Sequence, residues 1–281
     1  LNIPTNGLTY HFDAQYTPSF PLGGTSWYNI GQSGNTVALS NGPAYSSPNG
    51  ISFDGADDYG LLGPTGLGLT NSMTLIITQQ VPTYYSGDCD TLLCGFDAIK
   101  GSQLNLYKWN WNNPYYWNML AYYTDNSNNV QSIFTNSDPI NYGQFTQYVF
   151  SLSDNGDYLL MCNGVVLVGA TAPSFSRWNV NFGEVRFNGG GIGKVPCIYN
   201  KFTMYNRGLS LSEVLQYYYL GPIVTSGLTY SIDAGNPISY SGGGATIFNL
   251  TSAGGSGTLV NSPTYNIANG GVINFNGTGT F

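Results

Sequence analysis

Charged residues are scarce in this sequence. Lysine, arginine, aspartate and glutamate make up 7% of the 281 residues, whereas about a quarter is usual in soluble domains. With 7 cations against 14 acids and a net charge of −7, the chain lacks the basic surface that neutralises phosphates, so we predict no nucleic-acid partner. Aromatic residues, at 15%, supply apolar surface for a core, so the low charge does not indicate disorder.

Long apolar runs and cysteines are also few. No run approaches the roughly 18 apolar residues of a membrane-spanning helix, so the sequence predicts no membrane span. There is no signal-peptide pattern and the first residue is Leu1, so we expect a segment of a longer gene product. Four cysteines allow three disulfide pairings, and buried thiols in strands are the alternative. They are Cys89, Cys94, Cys162 and Cys197.

Few groups could carry out catalysis. Of the two glutamates, Glu184 stands alone in a predicted strand and Glu213 falls in a helix cap. Glycoside hydrolysis needs two carboxylates facing each other across the bond, but the adjacent Asp57 and Asp58 would point to opposite faces of a strand. His11 is the single histidine, and we expect it to face solvent or a neighbouring hydroxyl. We therefore predict that the protein is not an enzyme and has no catalytic residues.

Short alternating runs between turn residues dominate the first 205 residues and predict strands. The Asn163-Gly164 pair between two apolar runs predicts a hairpin turn, because both residues tolerate positive φ. Many short strands without alternating helices indicate an antiparallel sandwich. The predicted strands cover residues 8–13, 50–53, 73–79, 92–98, 104–111, 115–123, 145–152, 157–162, 165–168, 182–187 and 198–205.

The start of the chain recurs near its end. Residues 227–234 read Gly-Leu-Thr-Tyr-Ser-Ile-Asp-Ala and repeat residues 7–14, Gly-Leu-Thr-Tyr-His-Phe-Asp-Ala. The match continues at an offset of 220 residues to Tyr265, and at an offset of 222 from Ile273 onward. This second copy covers about the first quarter of a unit. We expect its strands to be completed by further chain or by another subunit.

A single helix is predicted where the first unit closes. Ser210-Leu211-Ser212-Glu213 fits a capping box, and Gly221-Pro222 provides a stop. The expected organisation is one domain over residues 1–221, a linker over 222–226 and the opening of a second, similar unit over 227–281. The predicted fold class is an all-β antiparallel jelly-roll sandwich with one short C-terminal helix.

Four motifs in this order resemble the laminin G-like, concanavalin A-like jelly-roll family found in phage, large-virus and bacterial surface structural proteins. The resemblance spans the first unit and implies its sandwich fold, but it implies no particular activity, since the superfamily includes lectins, glycosidases, adhesion modules and capsid decorations. The motifs are Gly7 to Ala14, Asn41 to Tyr45, Phe53 to Tyr59 and Tyr205 to Glu213.

Two groups of residues are candidate binding sites. Asp54, Asp57 and Asp58 form the best oxygen cluster for calcium, the one candidate cofactor, although a Gly-containing turn would also place aspartates there. The densest aromatic stretch would put alternate rings on one strand face, as part of the core, as an assembly interface or as a platform for sugars. Its candidate residues are Tyr107, Trp109, Trp111, Tyr115 and Trp117.

The repeat, the low charge and the family resemblance together predict a non-enzymatic structural protein at a virion surface or in an extracellular layer. A capsid decoration or a minor capsid or fibre component fits best, with other structural subunits as its partners. The alternative is a carbohydrate-binding adhesin or lectin module with glycans as partners.

Overall fold

The computed structural model of the chain describes residues 6–31, 34–46, 48–63, 67, 72–81, 91–96, 103–108, 117–124, 130–134, 142–171, 184–188, 194–220, 229–236, 238–251, 254–266 and 272–275. These residues belong to two compact units, the first ending at Leu211 and the second beginning at Ser212. The boundary at residue 221 that the repeat suggests rests on the sequence and stays a prediction.

The first unit consists of sixteen strands in the described ranges. They are β1 Leu8–Asp13, β2 Ser26–Tyr28, β3 Thr36–Ser40, β4 Ala44–Ser46, β5 Gly50–Phe53, β6 Tyr59–Leu62, β7 Met73–Gln80, β8 Thr91–Phe96, β9 Gln103–Lys108, β10 Trp117–Thr124, β11 Val130–Phe134, β12 Phe145–Leu152, β13 Asp157–Cys162, β14 Val165–Thr171, β15 Glu184–Phe187 and β16 Cys197–Tyr205. Each predicted strand is present, although the predicted ends at residues 97–98, 109–111, 115–116 and 182–183 lie outside the described residues. The strands β2, β3, β4, β6 and β11 were not predicted.

These strands form two antiparallel sheets. One has the order β14-β13-β12-β7-β16-β5-β4, with β1 also paired to β16, and the other has the order β11-β10-β9-β8-β15-β6-β3-β2. Strand β16 is the organising element of the first sheet, because its first half pairs with β5, its second half with β1 and its other edge with β7. The pattern of β16 fits this place, since eight of its nine residues are buried.

Aromatic side chains from the two sheets meet in the core. Phe187 of β15 makes edge contacts with Tyr199 and Phe202 of β16, with ring centroids 5.4 and 4.9 Å apart. Trp27 of β2 lies 5.7 Å from Phe187 and 5.4 Å from Phe12 of β1. All five rings are fully buried. This confirms the predicted all-β antiparallel sandwich, while its jelly-roll type remains a prediction.

The Asn-Gly hairpin is confirmed between β13 and β14. Asn163 and Gly164 both have positive φ, 48° and 77°. The amide oxygen of Asn163 also accepts a hydrogen bond from the backbone N–H of Gln147 on β12 at 2.8 Å, so this turn is tied to the neighbouring strand.

The second unit contains the helix α1, Leu211–Leu220, apart from its first residue, and four short strands among its described residues. The helix begins directly after Ser210 and carries Glu213 in its first turn, as predicted. Its ten residues make it too short to cross a membrane, and the described residues include no helix that could. The strands are β17 Thr246–Phe248, β18 Ser256–Thr258, β19 Thr264–Asn266 and β20 Val272–Asn274.

The second unit reproduces two strand pairs from the opening of the first. The pair β17–β18 has the register of β2–β3 displaced by 220 residues, and β19–β20 has the register of β4–β5 with the predicted offsets of 220 and 222. The internal repeat is therefore structural. Corresponding residue pairs are Trp27↔Val37 with Ile247↔Gly257, and Tyr45↔Ile51 with Tyr265↔Ile273.

The turn after the Gly-Leu-x-x-x-x-Asp-Ala motif is also repeated in its hydrogen bonds. The Ser19 hydroxyl donates to the carbonyl of Tyr28 at 2.6 Å, and the Ser239 hydroxyl donates to the carbonyl of Phe248 at 2.7 Å. The motif aspartate shapes the turn in both copies, since its Oδ1 accepts a backbone N–H two residues later at 2.9 Å. The repeated motif therefore has a structural explanation in both copies.

Two of the four cysteines lie among residues whose side chains are described. Cys162 on β13 and Cys197 on β16 are buried thiols that form no disulfide within those residues. Burial raises the pKa of the Cys197 thiol well above its usual value. Buried thiols in strands were one of the two predicted states, and it is confirmed for this pair; the side chains of Cys89 and Cys94 lie outside the described residues.

Candidate functional site

The acidic cluster lies in the turn between β5 and β6. Carboxylate oxygens of Asp54, Asp57 and Asp58 lie within 4.8 Å of one another. The turn depends on Gly55, which has φ of +80° and lies so close to Pro196 that a Cβ would come 2.4 Å from its Cδ. The glycine turn thus brings the three carboxylates together, as predicted for an oxygen cluster. The expectation that Asp57 and Asp58 point to opposite faces of a strand is wrong, because neither residue lies in a strand.

Two of the three carboxylates accept hydrogen bonds from backbone N–H groups of the turn. Asp54 Oδ1 accepts the backbone N–H of Ala56 at 2.7 Å, and this bond is the main reason that the pKa of Asp54 is lowered. Asp58 Oδ2 accepts the backbone N–H of Asp54 at 2.9 Å. Partial burial raises the pKa of Asp58, against the effect of that hydrogen bond. The turn therefore holds its own carboxylates in place.

A cation of the protein also reaches this turn. The Lys194 ammonium donates a hydrogen bond to the carbonyl of Asp57, and it lies 5.4 Å from the ring centre of Tyr59. The spacing of the three carboxylates suits oxygen ligands around one calcium ion, but turn hydrogen bonds and Lys194 account for the arrangement without one. Calcium binding at Asp54, Asp57 and Asp58 remains a prediction.

The aromatic stretch lies at the junction of β9 and β10. Tyr107 is on β9 and Trp117 is the first residue of β10, and the backbones pair as Lys108↔Trp117 and Asn118↔Tyr107. The remaining candidates, Trp109, Trp111 and Tyr115, fall outside the described residues, which end β9 at Lys108. The predicted single strand face holding Tyr107 with Trp109 and Trp111 is therefore untested. The chain between the two paired ends is residues 109–116.

The possible catalytic groups are engaged elsewhere. His11 is buried, and its Nδ1 lies 2.8 Å from the hydroxyl of Thr203 on the neighbouring strand β16. The expectation of a neighbouring hydroxyl as its partner is confirmed. Glu184 on β15 is paired with Arg186, at 2.7 Å between Oε1 and the guanidinium.

A cleft in the second unit was not predicted from the sequence. Its volume is about 480 Å³, and it is lined by the glycines 242–244, Ala245, Leu259, Ser262, Pro263 and two tyrosines. Tyr240 and Tyr265 pack with ring centroids 5.3 Å apart, and the Tyr240 hydroxyl donates to the carbonyl of Gly244 at 2.9 Å. The run of three glycines was the sequence feature that could have indicated this cleft. Gly242 and Gly244 both have a φ of 88°, a backbone conformation that favours glycine.

Comparison with known proteins identifies the fold and no family. No family model matches the sequence, and no curated protein matches it either. The laminin G-like resemblance thus rests on the motifs alone, and the similarity to solved structures shows the fold alone.

Three solved structures illustrate the similarity. Domain 4 of a GH43 extracellular arabinanase from Geobacillus stearothermophilus, in complex with arabinotriose, is 16% identical, with a TM-score of 0.54 over 74% of this chain and 96% of that domain. The botulinum neurotoxin serotype D binding domain is 10% identical, with a TM-score of 0.57 over 88% of this chain and 61% of that one. A Trypanosoma rangeli sialidase bound to sialic acid is 16% identical, with a TM-score of 0.53 over 77% of this chain. The match spans 33% of the sialidase.

Proposed function

We propose that this protein is a non-enzymatic carbohydrate-binding module of the jelly-roll type, acting outside the cell. The observation that carries the proposal is the position of the aromatic stretch. Residues 109–116 connect two directly paired strand ends, and this connection contains two tryptophans, two tyrosines and three asparagines. Connections at the ends of sandwich strands are common binding sites, because the sheets hold them in place.

The composition of this connection suits a sugar. Indole and phenol rings offer flat apolar surfaces to the C–H faces of a pyranose or furanose ring, while asparagine amides donate and accept hydrogen bonds with its hydroxyls. The low charge of the chain favours a neutral ligand over a strongly ionic one. The fold match to an arabinotriose-bound domain, over nearly the whole of that domain, supports the same class of ligand.

We expect the full chain to bind oligosaccharides on an array that includes arabino-oligosaccharides and sialosides. Trp109→Ala and Trp111→Ala should each weaken binding about tenfold, since each removes a stacking ring. Isothermal titration with the best array ligand measures the effect. Tyr16→Ala is the matched control, because Tyr16 is an exposed aromatic residue outside this stretch, and it should bind as the unmodified chain does.

The same titration locates the site and tests for a metal. Loss of binding in Tyr265→Ala but not in the tryptophan variants would move the site to the cleft of the second unit. Loss with a calcium chelator, reproduced in Asp54→Asn, would assign the acidic cluster to a calcium-dependent site. An array without signal, with and without calcium, would contradict carbohydrate binding altogether.

A structural role in an assembly is the second candidate function. The comparisons give no support to a virion or capsid location, which stays a proposal from the sequence. One observation does favour assembly: the second unit repeats the opening of the first, yet it exposes side chains whose counterparts form the first unit's core. These exposed side chains lie outside residues 109–116, so a partner could bind them independently of a glycan.

A further inference from the structure

Because of the repeat, side-chain exposure in the second unit can be compared with exposure at the corresponding positions of the first unit. Tyr10, Phe12 and Phe53 of the first unit are 2%, 0% and 1% exposed. Their counterparts, at the offsets established by the strand registers, are 47%, 50% and 51% exposed. These counterparts are Tyr230, Ile232 and Phe275, and we name them the acceptor face.

The first unit shows what covers these positions. Strand β16 pairs with β1 and places Phe202 beside Phe12, with centroids 6.3 Å apart. The same strand places Tyr199 against Phe53, at 5.0 Å and in edge contact. One strand with two aromatic residues three positions apart therefore covers the residues that correspond to Ile232 and Phe275.

The backbone comparison leads to the same strand. In the first unit, residues 8–13 form β1 because β16 pairs along one edge. The corresponding residues 229–233 are not in a strand in the described part of the second unit. Their other edge is held as in the first unit, since the Leu250 N–H donates to the carbonyl of Ser231 at 2.8 Å, as Ile30 does to His11. The edge that β16 would occupy has no strand partner among the described residues.

We propose that the acceptor face binds a β-strand of the β16 type, supplied as a separate segment, which pairs antiparallel with residues 229–233. Addition of a strand to an open sheet edge draws affinity from backbone hydrogen bonds and specificity from alternate side chains. The required pattern is that of β16: an aromatic residue over Phe275, an aromatic residue beside Ile232, and polar residues between them.

One position limits where this strand lies. Gly50 of the first unit lies against the Tyr199 carbonyl of β16, and its counterpart in β20 is Val272. The added strand thus cannot approach the first residue of β20 as closely as β16 approaches β5. Its backbone pairing is therefore assigned to residues 229–233, where no such side chain intervenes, with only a side-chain contact to Phe275.

Charge does not oppose this binding. Residues 222–281 contain one charged side chain, Asp233. Its counterpart Asp13 pairs with Lys201 of β16, with 3.4 Å between Nζ and Oδ2. A lysine at the same place in the added strand would therefore meet Asp233, which adds a charge requirement to the two aromatic ones.

The test uses the full chain and a fluorescent peptide of residues 194–207, with Cys197→Ser to prevent oxidation. This peptide carries the β16 sequence, and fluorescence anisotropy measures its binding. We expect saturable binding that weakens about tenfold in Ile232→Ser and again in Phe275→Ser, because each removes buried apolar contact. A peptide with Tyr199→Ser and Phe202→Ser should not bind.

Phe248→Ser is the matched control. Phe248 is 52% exposed, and its counterpart Tyr28 is 44% exposed in the completed first unit, so it lies outside the acceptor face. Its substitution should leave peptide affinity unchanged. Amide hydrogen exchange provides a second readout: bound peptide should slow exchange at residues 229–233 in the unmodified chain.

Three results would overturn the proposal. One is absence of peptide binding, and another is binding that Ile232→Ser does not weaken, which would place the peptide elsewhere. The third is concentration-dependent dimerisation without peptide that Ile232→Ser abolishes, which would show that a second copy covers this face. Because the tryptophans of residues 109–116 play no part, the outcome is independent of glycan binding.

Discussion

Gly50→Ala is expected to lower the free energy of unfolding of the first unit by at least about 3 kcal/mol, because backbone conformation and space are both unsuitable for a side chain. Gly50 has φ of +140°, where L-residues are strained. A Cβ there would come 2.1 Å from the carbonyl oxygen of Tyr199 and 3.2 Å from the Cα of Asn200. Both are backbone atoms of β16, which cannot move without disturbing its pairing with β7.

Tryptophan fluorescence measures this effect in the first unit alone, since all five tryptophans precede residue 211. Urea unfolding should show the midpoint of Gly50→Ala well below that of the unmodified chain. Gly23→Ala is the control, because a Cβ at Gly23 meets nothing within 4 Å. Its effect should stay within about 0.5 kcal/mol. Equal midpoints for the two variants would show that β16 does not approach β5 as closely as described.

The long strands could be predicted because apolar runs bounded by turn residues mark them in the sequence. Strand β12, Phe145–Leu152, and strand β13, Asp157–Cys162, have the predicted ends. Five strands of the first unit were missed, because three to five residues are too few for a clear periodic pattern and pairing with neighbouring strands defines them. They are β2, β3, β4, β6 and β11. The repeat correctly predicted the strand registers of the second unit, including the change of offset before β20.

The candidate sites could be predicted only in part. The acidic turn follows from local sequence, so its three aspartates came together as expected. The partner of His11 could not be identified, because Thr203 lies 192 residues away and the contact depends on β1 pairing with β16. The acceptor face could not be predicted for the same reason. The repeat can be recognised in the sequence, but the exposure of Ile232 depends on strand pairing that the sequence does not show.

His11 should make the first unit less stable as the pH falls from about 6.5 to 4. Burial, opposed by the charge of Asp13, lowers the pKa of His11 from 6.5 to about 4. Lys201 adds to the lowering. Between these two pH values the His11 side chain binds a proton in the unfolded chain but not in the folded unit. The free energy of unfolding therefore keeps its full value above pH 6.5 and decreases as the pH falls toward 4. The loss amounts to about 3 kcal/mol.

The structure explains why protonation is unfavourable at this position. Nδ1 has the Thr203 hydroxyl at 2.8 Å, while the buried Nε2 has no hydrogen-bond partner among the described residues. A protonated ring would need an acceptor at both nitrogens. The second unit has Ser231 at this position, so His11→Ser is a substitution that the repeat itself contains.

Urea unfolding at several pH values, followed by tryptophan fluorescence, tests this linkage. Carboxylates also titrate toward pH 4, but they are the same in both proteins, so the difference between the unmodified chain and His11→Ser isolates the histidine. We expect the His11 contribution to the slope of unfolding free energy against pH, between pH 6.5 and 4.5, to be absent in the variant. Any stability that the variant loses through its smaller side chain is the same at every pH. Since His11 is the single histidine, its ring protons can be followed by NMR without assignment. A titration midpoint near 6.5 in the folded chain, or parallel stability curves, would show that the ring is accessible to water and that burial does not govern its protonation.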